Sequence, residues 1–261
     1  MSPAATALVV SAAAIAVLML TTWVVSLIKR NASIIDPVWG FGFVVVAWVV
    51  RATVSGYDLR QWVLVTMVTL WGLRLSIYLG WRNWGTPEDF RYQAMRRHWG
   101  ERFWWVSLFT VFALQGVLMW IVSLPVQLGQ VSNDPGLRIL GVIGILVWAL
   151  GLGFEAIGDT QLVRFKANPD NAGKVMDRGL WRYTRHPNYF GDACVWWGIA
   201  LVAAETGLGA IGFIGALVMT IFLRRVSGVT LLEKSLVKER LGYEEYVART
   251  SPFVPRRPRR S

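Results

Sequence analysis

Asp36, Arg74, Glu155 and Asp159 all fall inside stretches that are otherwise apolar. Charge in such a setting is costly in lipid and is generally kept for function. Asp36 lies in Ile34-Ile35-Asp36-Pro37-Val38-Trp39-Gly40. Pro37 suits a first helical turn, which makes Asp36 a candidate N-cap. The chemical alternative is a protonated carboxylic acid in an apolar cavity, able to donate a hydrogen bond. Trp71, Arg74 and Tyr78 share one helix face through their spacing of three and four. The partner expected for Arg74 is Asp36 or a bound anion. Glu155 and Asp159, at i and i+4, present two carboxylates on one face. They suit hydroxyl or amide ligands, and pairing with neighbouring arginines is the structural alternative.

The densest constellation runs from Arg178 to Asp192 (RGLWRYTRHPNYFGD). It packs Arg182, Arg185, His186, Asn188, Tyr189 and Asp192 into one short stretch. Arginines clamp phosphates bidentately. An asparagine side chain offers both a donor and an acceptor, which suits reading an amide. A tyrosine ring stacks on a flat ligand. Together these suit a nucleotide-like cofactor, while a basic interfacial loop with aromatic anchors is the plainer reading. Gly151-Leu152-Gly153 is too short for a nucleotide loop and fits close helix packing better. Walker and Rossmann fingerprints are missing from the sequence.

The elements that must carry these groups follow from composition. Of 261 residues, 54% are hydrophobic and 16% charged, with 15 tryptophans. A single soluble domain has too little interior to hide that much apolar surface, and disorder is excluded by the same numbers. The one cysteine, Cys194, excludes an internal disulfide. With only two histidines, His98 and His186, no metal site is expected. The net charge of +11 reads as basic loops on one membrane face, without nucleic acid as a partner.

Apolar runs of spanning length predict an all-α, polytopic membrane protein with seven transmembrane helices, at 5–28, 35–54, 60–81, 103–125, 137–163, 188–204 and 207–225. Basic residues cluster after helix 1, between helices 3 and 4, between helices 5 and 6, and from Arg224 to Arg260. The alternate loops hold only Arg51, Arg60 and Arg138. This alternation places the N-terminus outside and the C-terminus in the cytoplasm. Glu205-Thr206-Gly207 predicts a tight hairpin between helices 6 and 7. The tail from Pro255 reads as a frayed basic end touching anionic lipid headgroups. One transmembrane domain is expected, with 1–125 on the substrate side and 137–255 binding cofactor. The bilayer is its principal partner, and the chain is expected to be a monomer.

The run from Gly179 to Asp192 resembles the C-terminal signature of the steroid 5-alpha-reductase family. Membrane sterol reductases and isoprenylcysteine carboxyl methyltransferases carry related versions. The resemblance is strongest from Trp148 to Pro255 and includes Phe154-Glu155 through Asp159, Leu223-Arg224, Glu233-Lys234 and Tyr243 to Tyr246. It looks most like bacterial members of the reductase group, which implies an inner-membrane location. The resemblance implies NADPH as cofactor and a 3-oxo-Δ4 steroid or similar enone lipid as substrate. It carries cofactor contacts onto Arg74, Tyr78, Arg82, Glu155, Asp159, Lys166, Lys174, Arg185, His186, Asn188, Tyr189, Asp192, Arg224, Glu233 and Tyr246. Asn188 is the expected contact to the nicotinamide amide.

The family's acid pair on the substrate ketone is a glutamate and a tyrosine. Asp36 is nearest to the glutamate, and Trp71 falls where the tyrosine would be. Indole N–H donates a hydrogen bond but is no proton source. The catalytic candidates are therefore Asp36 with Trp71 or Tyr78. The alternative activity is an S-adenosylmethionine-dependent methyltransferase, which shares the element from Arg185 to Gly191. Such enzymes tend to carry an adjacent acidic pair on the last helix, where this chain has Glu233 alone. A transporter or lipid-binding protein would not need the dense cluster from Arg182 to Asp192.

Overall fold

A computed structural model describes residues 1–226 and 242–259. Helices account for nearly all of the regular structure, and no strand occurs among the described residues. They are α1 (Pro3–Lys29), α2 (Ile35–Thr53), α3 (Asp58–Asn83), α4 (Phe90–Val122), α5 (Leu124–Gly129), α6 (Ile139–Ala167), α7 (Pro187–Ala203), α8 (Phe213–Ile221) and α9 (Tyr243–Arg249). Among the described residues, five helical segments are long and apolar enough to cross a membrane: α1, Ala32–Thr53 containing α2, α3, α4 and α6. α7 has 17 residues and α8 has 9. The segment expected to begin the last span at 207 is a turn and a 3-10 stretch (Gly209–Gly212), so α8 opens only at Phe213. Thr206 holds that turn by accepting the Gly209 N–H at 3.0 Å.

The outward faces of these helices are apolar. Val17, Leu20 and Ile28 on α1, and Leu70, Ile77 and Trp81 on α3, are exposed. Inward positions instead hold small and polar residues: Ser11, Thr22 and Ser26 on α1 are buried. The Ser11 hydroxyl has two acceptors within reach, the Ala7 carbonyl and Gln127 Oε1 (2.8 Å), so its one hydrogen is satisfied without water. That inversion is what a lipid solvent selects, because backbone and buried polar groups must find partners inside the protein.

The chain divides into two compact units, Met1–Gly141 with Ile199–Gly215, and Val142–Gly198 with Ala216–Ser261. In the first, α2 and α3 form a hairpin whose backbones meet at Gly40 and Gly72. A Cβ on either would sit 2.6 Å from the other's carbonyl oxygen. Arg60, counted by sequence among the loop charges, lies within α3 and is almost fully buried. Its guanidinium donates to the carbonyls of Gly129, the last residue of α5, and of Ser132 and Asp134 beyond it. In the second unit, α6 and α7 close on Gly151 and Gly191. A Cβ on Gly151 would meet the Gly191 carbonyl at 2.5 Å, and one on Gly191 would meet the Glu155 nitrogen at 2.6 Å. The packing role expected of the Gly-x-Gly element thus belongs to Gly151, since Gly153 faces open space.

Candidate functional site

In the first unit, α2 begins at Ile35, with Ile34 at the cap position. Asp36 therefore lies within the first turn and is not the N-cap that Pro37 suggested. Its carboxylate turns towards α4. Tyr92 Oη donates to Asp36 Oδ1 at 3.2 Å, and Arg91 Nη2 lies 3.8 Å from Asp36 Oδ2. The guanidinium that reaches Asp36 is thus Arg91, where the sequence pointed to Arg74.

The connection before α4 is clasped to the start of α2. Ala32 N–H donates to Glu88 at 2.7 Å, and Asp89 N–H donates to Ser33 Oγ at 2.7 Å. Arg96 makes two hydrogen bonds to Glu88, and Arg91 donates through Nε to Asp89 at 2.8 Å. Burial pushes the Glu88 carboxyl up, but the bonds from Arg96 and Ala32 outweigh it and hold it below the ordinary carboxylate range. Asp89 is likewise held low, with burial opposed by its two bonds from Arg91. Both carboxylates stay charged, so the clasp is ionic.

On α3, Trp71 is fully buried and packs edge-on against Phe43, with ring centroids 5.6 Å apart. Tyr78 lies between two cations. The guanidinium carbons of Arg74 and Arg82 stand 5.4 and 5.7 Å from its ring centre. Spacings of four residues on either side produce this stack. Near the ends of α1, α2 and α3 opens a largely apolar cavity of about 660 Å³. Its wall includes Val25, Ile34, Pro37 and Val38.

In the second unit, the Gly151–Gly191 approach brings polar residues of α6 and α7 into one buried region. Glu155, Asp159 and Asp192 are all buried. Asn188 Nδ2 donates to Asp159 Oδ1 at 3.1 Å. His186 and Tyr189 stack face to face, with centroids 5.4 Å apart and planes within 5°. Buried carboxylates beside an amide suit hydroxyl and amide donors of a ligand, and the stacked rings offer a flat wall.

Of the other predicted contacts, Arg185 and Tyr246 make hydrogen bonds within the fold. Arg185 donates through Nη1 to the carbonyls of Val247 (2.9 Å) and Thr250 (2.7 Å) at the end of α9. Its donors there meet carbonyls that a helix end leaves without intrahelical partners. Tyr246 is buried and donates to the Trp181 carbonyl. Burial pushes its phenol well above the ordinary value, so it stays protonated. Arg224 lies over the Phe253 ring at 5.5 Å. Lys166 and Lys174 are exposed. Glu233 lies outside the described residues.

Tyr92 and Arg91 were missed by sequence reasoning. Each lies in the amphipathic start of α4, which polarity had marked as a loop, and no periodicity links them to α2. The sequence signal available was a tyrosine beside arginine between two predicted spans, which is too common to single out.

A model of a family described as "Protein of unknown function (DUF1295)" matches residues 22–250. No curated protein and no solved structure matches the chain.

Proposed function

The chain belongs to the DUF1295 family, whose function is unknown, and from that premise we propose that it is a multi-pass membrane reductase. It takes NADPH and reduces the C=C of a 3-oxo-Δ4 steroid or similar enone lipid. The observation that carries this reading is the cluster of buried Glu155 and Asp159 with half-buried Asn188, with the His186–Tyr189 stack contributed by the same helix start. It lies in the segment that resembles the steroid 5-alpha-reductase signature.

The polar groups of the second unit fit one end of a nicotinamide dinucleotide. Asp159 and Glu155 can accept from ribose hydroxyls or a carboxamide, and Asn188 can read that amide from both sides. Lys166, Lys174 and Arg224 are exposed cations suited to its phosphates. When bound, such a cofactor supplies the hydride. Hydride addition at the β-carbon of the enone develops negative charge on the carbonyl oxygen, and a proton must then reach the α-carbon. A donor aimed at that oxygen in a dry setting contributes most. Asp36 and Tyr92 supply a carboxyl–phenol pair of that kind. Tyr92 has the transferable proton that the indole of Trp71 lacks. Trp71 packs against Phe43 of α2, and the cations beside Tyr78 favour a cofactor contact for that residue. The apolar cavity near Pro37 suits a hydrophobic substrate.

The topology belongs to the same proposal: seven spans, with α7 and α8 as the sixth and seventh, N-terminus outside and C-terminus in the cytoplasm of a bacterial inner membrane. The 17 residues of α7 rise about 25 Å, enough for a thin or locally thinned core. The alternation of basic loops supports the orientation.

The test is ligand titration of the purified protein, followed by NADPH oxidation with a panel of enones. NADPH raising the melting midpoint, with S-adenosylmethionine inert, is expected. The reverse response would replace reduction by methyl transfer.

A further inference from the structure

The basic tail expected to fray is folded back. Arg256 N–H donates to the Tyr183 carbonyl and Arg259 N–H to the Arg249 carbonyl, both at 3.0 Å. Arg185 N–H also donates to the Ser251 carbonyl at 2.9 Å. These bonds fasten the chain on both sides of Pro258 to two other segments of the second unit. Pro258 itself restricts the backbone between them.

Beneath the fastening lies a cavity of about 890 Å³. Five guanidiniums line it: Arg178, Arg182, Arg249, Arg257 and Arg259. The wall has one carboxylate, Asp177, and it is already engaged by Arg249 at 2.5 Å. Among the described residues, Arg178, Arg182, Arg257 and Arg259 have no ion-pair partner. A single exposed arginine is simply solvated. Four without counter-charge around one concavity repel one another and raise its positive potential, which an anion relieves. Planar guanidiniums match phosphate oxygens bidentately. The volume exceeds what a lone phosphate fills, so a diphosphate or a phosphate on an organic body suits it. Arg182 is the one member of the nucleotide-like constellation on this wall, and none of the residues proposed above to contact the dinucleotide lines it.

We propose that the cavity formed by Arg178 and Arg182 with the folded-back Arg257 and Arg259 is a separate binding site for a phosphate-bearing anion. The ligand is either an anionic phospholipid headgroup or a soluble diphosphate. The site stands on these residues alone and is independent of the reductase reading.

The test uses the full chain in detergent, with inorganic pyrophosphate as probe. Pyrophosphate raises the melting midpoint of the parent. Two double variants, R178Q/R182Q and R257Q/R259Q, bind it about tenfold more weakly. Their midpoints without ligand equal or exceed that of the parent, because the fastening bonds are made by backbone groups and the removed charges repel one another. Parent protein in phosphatidylcholine bilayers, with and without phosphatidylglycerol, then separates the two sources. If phosphatidylglycerol competes with pyrophosphate, the occupant is a headgroup. If it does not, the occupant is soluble. NADPH binds both double variants as it binds the parent, if it binds at all. An unaltered pyrophosphate response in the double variants, or no response from the parent, overturns the site. So does a joint loss of pyrophosphate and NADPH binding, which would assign the cavity to the cofactor.

Discussion

Tyr92 Oη donates its hydrogen to Asp36 Oδ1 at 3.2 Å, joining the first turn of α4 to the first turn of α2. This bond sets a phenol beside the Asp36 carboxylate. On the reductase reading, Asp36→Asn nearly abolishes enone-dependent NADPH oxidation and leaves NADPH binding intact. Tyr92→Phe lowers turnover by roughly 10²–10⁴, the usual range for a lost general acid. Steady-state rates on purified variants check both. Wild-type turnover in Y92F would remove the phenol from the chemistry.

Asn188→Ala removes the amide that bonds Asp159, and with it the proposed nicotinamide contact. NADPH affinity falls about tenfold, the upper range for one lost hydrogen bond between neutral groups. Isothermal titration measures it directly. Equal affinity in variant and parent would place the cofactor elsewhere.

Gly151→Ala tests the helix crossing itself. The added Cβ would stand 2.5 Å from a backbone carbonyl on α7, which cannot swing aside as a side chain would. Overpacking of this kind costs about 1–3 kcal/mol. The melting midpoint in detergent should drop. Gly153→Ala, whose Cβ meets open space, is the control and should melt as the parent does.

The clasp before α4 predicts a pH dependence. Glu88 has a folded pKa below its ordinary value of 4.5, and Asp89 below 3.8. The unfolded chain therefore binds more protons than the folded one as pH falls through this region, so stability rises with pH there. The contribution of Glu88 is complete above about pH 4.5 and is lost as pH falls through its lower folded value. Melting midpoints of the parent and of Glu88→Gln should differ at pH 7 and converge as acid is added. A constant gap down to low pH would show that the Glu88 charge does not hold the clasp.

Arg185 gives a prediction that separates fold from site. Its donors meet two carbonyls at the end of α9. Arg185→Ala leaves those carbonyls short of donors and lowers the melting midpoint, whether or not NADPH is present. A variant that melts normally but binds NADPH poorly would return Arg185 to the cofactor.

The sequence by itself determined that this chain is helical and where its long helices run. A backbone in lipid must satisfy its own hydrogen bonds, so an apolar run of spanning length has few alternatives to a helix. The start of α2 near Pro37 and the spacing that puts Arg74 and Tyr78 on one face of α3 follow from local geometry and were legible in the sequence; the second cation on Tyr78, Arg82, came from the structure. The reading failed at the cap role and partner of Asp36, at 207–212 and at the tail. Short polar segments carry no periodicity, and nothing local says which remote group a charge will meet. Tertiary structure decided that Arg91 and Tyr92, rather than Arg74, reach Asp36. It decided that Arg185 turns to helix-end carbonyls, and that the last arginines return to line a cavity. Each outcome depends on which buried donors and acceptors lack partners once the helices have packed, a condition that does not exist until the fold does.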